Sequence, residues 1–270
     1  MAVFFDTHAH LDYPDFQADF PQVLERAQAA GITKLICIGT DLESSQRAMR
    51  LAGQHDCVFA VIGWHPGDAL NAPEDIRPAL REWARHPKVV AIGETGLDYY
   101  RLPSQQELGT VADDERYKLR QARLFQQQLE VAAETGLNCV IHQRGDCFED
   151  TLRLFEPFIG RVRSVFHCFS GDASSLRRIL EMGSLVSFTG IVTFKNGQNV
   201  RDALAATPMG KFMLETDAPF LAPVPFRGKR CESAYVKEIA AVVAQVKDCT
   251  LEELSAATCQ TACEFFPKLK

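Results

Sequence analysis

Four histidines of this 270-residue chain close short apolar runs: Val3-Phe4-Phe5-Asp6-Thr7-His8-Ala9-His10, Leu137-Asn138-Cys139-Val140-Ile141-His142 and Val165-Phe166-His167. Two further runs end in carboxylates, at Gly93-Glu94 and Glu215-Thr216-Asp217. Imidazole and carboxylate are the usual protein ligands for divalent cations. A single histidine after an apolar run is ordinarily a hydrogen-bonded core or rim residue, but five strand ends bearing such groups converge on metal chemistry. His8 and His10 are two apart, so in an extended strand both side chains leave the same face and form a two-toothed clamp. The residues therefore give six candidate ligands: His8, His10, Glu94, His142, His167 and Asp217.

For those ends to meet, the elements must run in parallel. Apolar β-type runs alternate with helix-period stretches. The pattern predicts a helix over 19–30 closed by Gly31 and a strand at 34–39. It then predicts helix 43–55 and strand 57–63, helix 74–86 and strand 88–93, and helix 117–135, stopped by Gly136, before strand 137–142. Helix 147–158 precedes strand 164–168, helix 173–182 precedes strand 184–189, and helix 198–206 precedes strand 211–215. With the first run this makes eight strands. Alternating strand and helix implies right-handed parallel crossovers, and ligands on strands one, four, five, six and eight point to a closed (β/α)8 TIM barrel. An open doubly wound sheet is the alternative, although it gathers its site at one switch point. Residues 1–270 are expected to form a single domain. The polar connection 101–116 follows the Glu94 strand and is either a lid over the site or a solvated excursion.

Composition narrows the class. The apolar content of 46% supports a large core, and no run reaches the roughly 20 apolar residues of a membrane span. No secretory signal is visible at the amino terminus, so the cytoplasm is the expected compartment. Nine cysteines occur without a CxxC pair and are expected to be mostly buried small hydrophobes. Cys168 is expected to pack as a strand residue pointing away from the site. The net charge of −6 argues against broad binding of a phosphate backbone, but not against an enzyme using metals and a local basic patch.

Several strings carry a resemblance. Asp6-Thr7-His8-Ala9-His10-Leu11-Asp12, Gly93-Glu94-Thr95-Gly96-Leu97-Asp98-Tyr99, His167-Cys168-Phe169-Ser170-Gly171 and Leu214-Glu215-Thr216-Asp217-Ala218-Pro219 resemble the TatD family of metal-dependent hydrolases. Gly190-Ile191-Val192-Thr193-Phe194-Lys195 and Arg227-Gly228-Lys229-Arg230 extend the likeness, in order, along essentially the whole chain. The resemblance implies an amidohydrolase-like TIM-barrel metallohydrolase, most often a deoxyribonuclease. It implies one metal on His8, His10 and Asp217, a second on His142 and His167, and Glu94 bridging both. A carboxylate suits the bridge because its two oxygens can neutralise part of the charge of two close cations. Asp217 is assigned as ligand and general base.

Around this set, His65 in Gly63-Trp64-His65-Pro66 is either a rim contact for substrate phosphate or a structural residue. Lys195, Arg227, Lys229 and Arg230 fall on loops after strands seven and eight, where barrels often bind phosphate, and at least one is expected to contact substrate. Glu215 is expected on the same strand face as Asp217, orienting a ligand from behind or filling the barrel core. Asp98 is expected to position His10 or a loop, and Tyr99 to pack. Departures from the family pattern fall in substrate-facing loops: Gly67 where a polar side chain is frequent, Gln143-Arg144-Gly145-Asp146 after His142, and Cys231-Glu232-Ser233 after Arg230.

The expected activity is hydrolysis of phosphodiesters at DNA ends by a two-metal-activated water, as an exonuclease. Hydrolysis of small esters, lactones or amides with the same metals is the alternative, and a catalytically silent metal-binding protein a third reading. Two Mg²⁺, Mn²⁺ or Zn²⁺ ions per chain are expected, carboxylates favouring the first two and histidines the third. DNA is the expected partner, with no membrane, no obligate protein partner and a monomeric state.

Overall fold

A computed structural model describes residues 2–106 and 109–269. Eight strands lie in one parallel sheet in chain order: β1 (Phe4–Ala9), β2 (Ile32–Ile38), β3 (Val58–Ile62), β4 (Val89–Asp98), β5 (Asn138–Arg144), β6 (Ser164–Phe166), β7 (Leu185–Phe188) and β8 (Phe212–Leu214). Helices α1 (Phe20–Ala29), α2 (Leu42–Gln54), α3 (Arg77–Trp83), α4 (Val111–Thr135), α5 (Phe148–Phe155), α6 (Ala173–Glu181) and α7 (Gln198–Ala206) alternate with them, and α8 (Val236–Lys247) and α9 (Leu251–Phe265) complete the chain. This is a (β/α)8 TIM barrel, and the doubly wound alternative falls. No helix among the described residues is long and apolar enough to cross a membrane.

Helix starts follow local chemistry. Asp41 accepts from the Ser44 amide at the head of α2, and Asp172 from the Ser175 amide at the head of α6. Thr110 and Asp113 form a reciprocal capping box that starts α4 at Val111. That box corrects the expected 101–116 connection, because 111–116 is already helix. Asp114 also holds Ser104, accepting from its amide at 2.7 Å and its hydroxyl at 2.6 Å, so the connection is tied to the helix. Glu107 and Leu108 of that stretch lie outside the described residues. At the other end, Gly136 stops α4 as expected, at φ 69°, where a side chain is disfavoured.

The barrel interior is filled by Ile36, Ile38, Phe59, Val61, Val90, Val140, Val165, Leu185 and Met213, which pack with Phe265, Phe266 and Leu269 from the end of the chain. That terminal segment reaches the beginnings of the strands: Lys34 donates to the Leu269 carbonyl and Asn138 to that of Phe265. The amino ends of the barrel are thus plugged with apolar side chains, and the carboxyl ends are left for chemistry.

Closure between β1 and β8 depends on hydrogen bonds outside the ladder. Thr7 Oγ1 donates to the Leu214 carbonyl at 3.0 Å, the Asp217 amide to the His8 carbonyl at 2.9 Å, and the His10 amide to the Ala218 carbonyl at 2.7 Å. Buried Asp6 fastens the same seam, accepting from the Thr216 amide at 2.9 Å and the Thr216 hydroxyl at 2.6 Å. Burial pushes the Asp6 carboxyl up to about 7, and the Thr216 bonds partly offset that rise. Removing this acceptor takes a partner from the buried Thr216 amide and hydroxyl and from the His8 amide, which lies 3.4 Å from Asp6 Oδ1, at about 1–3 kcal/mol for each donor left unpaired. Asp6→Ala is therefore expected to lower the midpoint of urea unfolding, with Asp6→Asn falling between it and the wild type. An unchanged midpoint in Asp6→Ala would show that the Asp6–Thr216 bonds do not hold the seam.

Candidate metal centre

The site forms where strands end or break, and this corrects several expected positions. Strand β4 runs on to Asp98, so Glu94 sits within it, at a register break between Ile92 and Thr95 rather than at its end. Gly93 makes the break feasible: its φ is 144°, and a Cβ there would lie 2.6 Å from the Val140 carbonyl oxygen. His167 follows β6, and Asp217 lies three residues past β8 with φ 60°. The period-2 argument that put Glu215 and Asp217 on one strand face therefore does not apply. His8 and His10 do share a direction, although β1 ends between them at Ala9.

Five imidazoles surround the Glu94 carboxylate, which is 2% exposed. Oε1 lies 2.7 Å from His167 Nε2, 2.8 Å from His142 Nδ1 and 3.7 Å from His65 Nε2. Oε2 lies 3.4 Å from His8 Nε2 and 3.7 Å from His10 Nε2. Asp217 Oδ1 is 3.3 Å from His10 Nε2 and 3.7 Å from His8 Nε2. The structure thus brings together all six candidate ligands. Their donor atoms fall into overlapping triads: His8, His10 and Asp217; His8, Glu94 and His167; and His65, Glu94 and His142.

The electrostatics favour anionic carboxylates. Burial pushes the Glu94 carboxyl up, but His167, His65, His8 and His142 outweigh it and hold it well below the usual range. Asp217 is likewise lowered, its burial being overcome by His10, His8 and His167. The His8 and His167 rings stack at 4.0 Å, and burial together with His167 holds His8 below its ordinary value. His167 moves the other way, because Glu94 and Glu215 outweigh its burial.

The hydrogen-bond inventory fits a cation-binding role. Both ring nitrogens of His8, His10 Nδ1, His167 Nδ1 and Glu94 Oε2 are buried without a hydrogen-bond partner among the described residues. Buried polar atoms left this way are costly, and bound cations would satisfy those that face Glu94. Behind two of the rings stand carboxylates. Asp98 Oδ2 is 3.1 Å from His142 Nε2, and Glu215 Oε1 is 3.6 Å from His167 Nδ1 while accepting from the Cys168 amide at 2.7 Å. With Nε2 of His142 donating to Asp98, its Nδ1 lone pair faces Glu94, the tautomer a metal needs. Asp98 therefore serves His142, not His10.

His65 differs. Its Nδ1 accepts from the Gly67 amide at 2.9 Å, and burial pulls the ring down to about 3, so it is neutral. The remaining proton is then on Nε2, aimed into the site, which makes His65 a donor suited to an oxyanion rather than a metal ligand.

The cleft above these groups has a volume of about 550 Å³. Lys195, Arg227, Lys229 and Arg230 are not among the residues that line it. The Arg230 guanidinium is engaged by Asp19, at 2.8 Å through each of two nitrogens, and by Glu232 at 2.9 Å. Arg227 bonds the Ala222 carbonyl and lies over the Phe194 ring at 3.8 Å. Among the described residues Arg144 is the sole lysine or arginine lining the cleft; the sequence placed it in a substrate-facing loop after His142 without singling it out. Tyr13 and Phe220 also line it and were missed, because an aromatic in a loop has no pattern that separates packing from a rim. Cys168 faces the cleft as well, at φ 49°, contrary to its expected outward packing, and burial holds its thiol well above the ordinary value. Tyr99 does pack, its hydroxyl 3.4 Å from Asp150.

Comparison with known proteins matches this chain to the TatD related DNase family over residues 5–267. It is 37% identical over 263 residues to YabD of Bacillus subtilis, named an uncharacterized metal-dependent hydrolase, covering 97% of this chain and 98% of that one. It is 33% identical over 249 residues to the 3'-5' ssDNA/RNA exonuclease TatD of Klebsiella pneumoniae, covering 89% of each. Among solved structures, the TatD homologue YjjV of Escherichia coli superposes with a TM-score of 0.88 at 27% identity, covering 98% of each chain.

The carboxylates behind the rings lead to a measurable outcome. Asp98→Ala and Glu215→Gln are each expected to weaken metal binding by about 10–100-fold, read by calorimetric titration of chelator-stripped protein with Zn²⁺ or Mn²⁺. Affinities equal to wild type would show that these groups do not orient the rings.

Proposed function

Because the chain belongs to the TatD-related DNase family and is a metal-dependent hydrolase, we propose that it is a deoxyribonuclease hydrolysing phosphodiesters at DNA ends, as an exonuclease with two divalent metals. The observation that carries this reading is the division of Glu94: one oxygen faces His142 and His167, the other His8 and His10, with Asp217 beside the latter pair. That arrangement supports one metal on His8, His10 and Asp217, a second on His142 and His167, and Glu94 shared between them. The identity of the ions follows availability among Mg²⁺, Mn²⁺ and Zn²⁺. When bound, such ions supply an acidified water, polarise the phosphoryl oxygen and stabilise the leaving oxygen.

The chain's own groups do the rest. Asp217 is held as a carboxylate and accepts the water's proton at the oxygen not turned to His10. His65 donates a hydrogen bond from its Nε2–H to a phosphoryl oxygen. Arg144, exposed and stacked over Tyr100 at 4.0 Å, holds a neighbouring phosphate. Asp98 and Glu215 fix the two rings against rotation. No covalent enzyme intermediate is needed. The reading takes residues 1–270 as one hydrolase domain acting as a cytoplasmic monomer, in keeping with nine cysteines that are all free thiols. The name of the Klebsiella relative supports single-stranded DNA as the first substrate to try, with RNA beside it.

The test is degradation of an end-labelled single-stranded oligonucleotide by chelator-stripped protein, before and after return of Mg²⁺, Mn²⁺ or Zn²⁺. Restored wild type is expected to make a ladder, and the stripped protein none. Asp217→Asn is expected to lower turnover by about 10²–10⁴-fold, and Glu94→Ala to lose metal as well as activity. A metal-loaded wild type that leaves the oligonucleotide intact while hydrolysing small esters would overturn the nuclease reading.

A further inference from the structure

The cleft has two unlike walls. The eight strands run in chain order around the barrel, so the loops after β8 and β1 stand across the mouth from β4 and β5. On the β4–β5 side the lining is polar: Asp98, Gln143 and Arg144. On the opposite side, above the candidate ligands His10 and Asp217, the lining carries an apolar group: Tyr13 after β1, Ile191 after β7, and Phe220 and Leu221 after β8. A metal-dependent phosphodiesterase centre accounts for the polar wall and leaves the apolar one unexplained.

Phe220 is the centre of that wall. It is 50% exposed, although the core buries Phe16, Phe166, Phe188 and Phe212 to 2% or less. Its backbone is tied to the site, since its amide donates to the Asp217 carbonyl at 2.9 Å. Tyr13 meets its ring edge to face at 6.3 Å and is itself stacked on His10 at 4.9 Å. The Phe220 ring also meets His10 at 6.1 Å, so the two aromatics form a continuous surface that begins at the candidate ligand His10. A half-exposed ring beside a polar centre gains little for the fold, and it matches the stacking surfaces that single-stranded nucleic-acid binders offer to bases.

We propose that Phe220 and Tyr13 form a shelf that stacks the base of the nucleotide at the strand end being cut, with Arg144 across the mouth on the following phosphate. This rests on the nuclease reading and deepens it: the substrate is an end whose terminal base is present and unpaired. The strand lies across Glu94, its scissile phosphate between the two walls. A base held in a duplex cannot turn onto the shelf without unpairing, so frayed and single-stranded ends are preferred. Stacking of any base is favourable, so the shelf selects for the presence of a base rather than its identity.

The experiment uses the full metal-loaded chain and two single-stranded oligonucleotides, identical except that the residue at the degraded end carries a base or is an abasic tetrahydrofuran. Wild type is expected to show a KM lower by on the order of tenfold for the base-bearing end. Phe220→Ala should erase that preference and Phe220→Trp retain it, a rescue that a merely structural role would not produce. Equal KM values for the two ends in wild type, or a preference that survives in Phe220→Ala, overturns the shelf while leaving the nuclease reading intact. If wild type cuts neither oligonucleotide yet binds the base-bearing one more tightly by fluorescence anisotropy, the shelf stands and the nuclease reading falls. Neither cutting nor selective binding overturns both.

Discussion

Glu94 is the constraint on which this structure turns. A carboxylate 2% exposed and kept ionised must be compensated where it lies, because an isolated buried charge is far more costly than the whole net stability of a domain. Five imidazoles within 3.7 Å supply that compensation in part. The imidazoles bring a second problem, since both ring nitrogens of His8 and the Nδ1 atoms of His10 and His167 are buried without hydrogen-bond partners among the described residues. Cations between the carboxylates and the rings would compensate the charge and satisfy the atoms that face it, Glu94 Oε2 and His8 Nε2, which fits a metal-dependent site.

Holding that many polar groups at one point needs a rigid frame, and the barrel provides it through two different ends. The amino ends are closed by Phe265, Phe266 and Leu269 against the interior side chains. The carboxyl ends carry the ligands, and the β1–β8 seam there is fastened by Asp6 to Thr216, two positions from His8 and one from Asp217. The bonds that close the fold and those that position the site are therefore neighbours along the same chain segments. The register break at Gly93-Glu94 is the corresponding device on the other side of the barrel, turning a carboxylate inward where an uninterrupted strand would continue its ladder.

Charge is distributed with equal economy. The abundant cations near the carboxyl ends are largely spent on structure: Arg230 and Arg26 tie Asp19 to Glu232, and Arg227 lies on Phe194. What remains at the cleft is Arg144, supported by the face of Tyr100, opposite an aromatic wall. A molecule with net charge −6 thus keeps one arginine at the cleft rather than a broad basic surface.

The sequence by itself determined the barrel and the six candidate ligands. Both rest on local signals: alternation of β-type and helical periods sets strand and helix order, and a metal-type side chain closing an apolar run marks a strand's carboxyl end. The family likeness of Asp6–Asp12, Gly93–Tyr99 and Leu214–Pro219 is legible for the same reason, since each string is contiguous. Contacts between distant segments were decided by the tertiary structure alone. It paired Asp98 with His142 rather than His10, tied Arg230 to Asp19, 211 positions away, and set Tyr13 against Phe220. It also fixed the local breaks at Gly93 and Asp217, where a positive φ defeats the two-residue alternation from which strand faces are read. Periodicity tells which way a side chain leaves an element, but the partner it meets depends on how the elements close around one another.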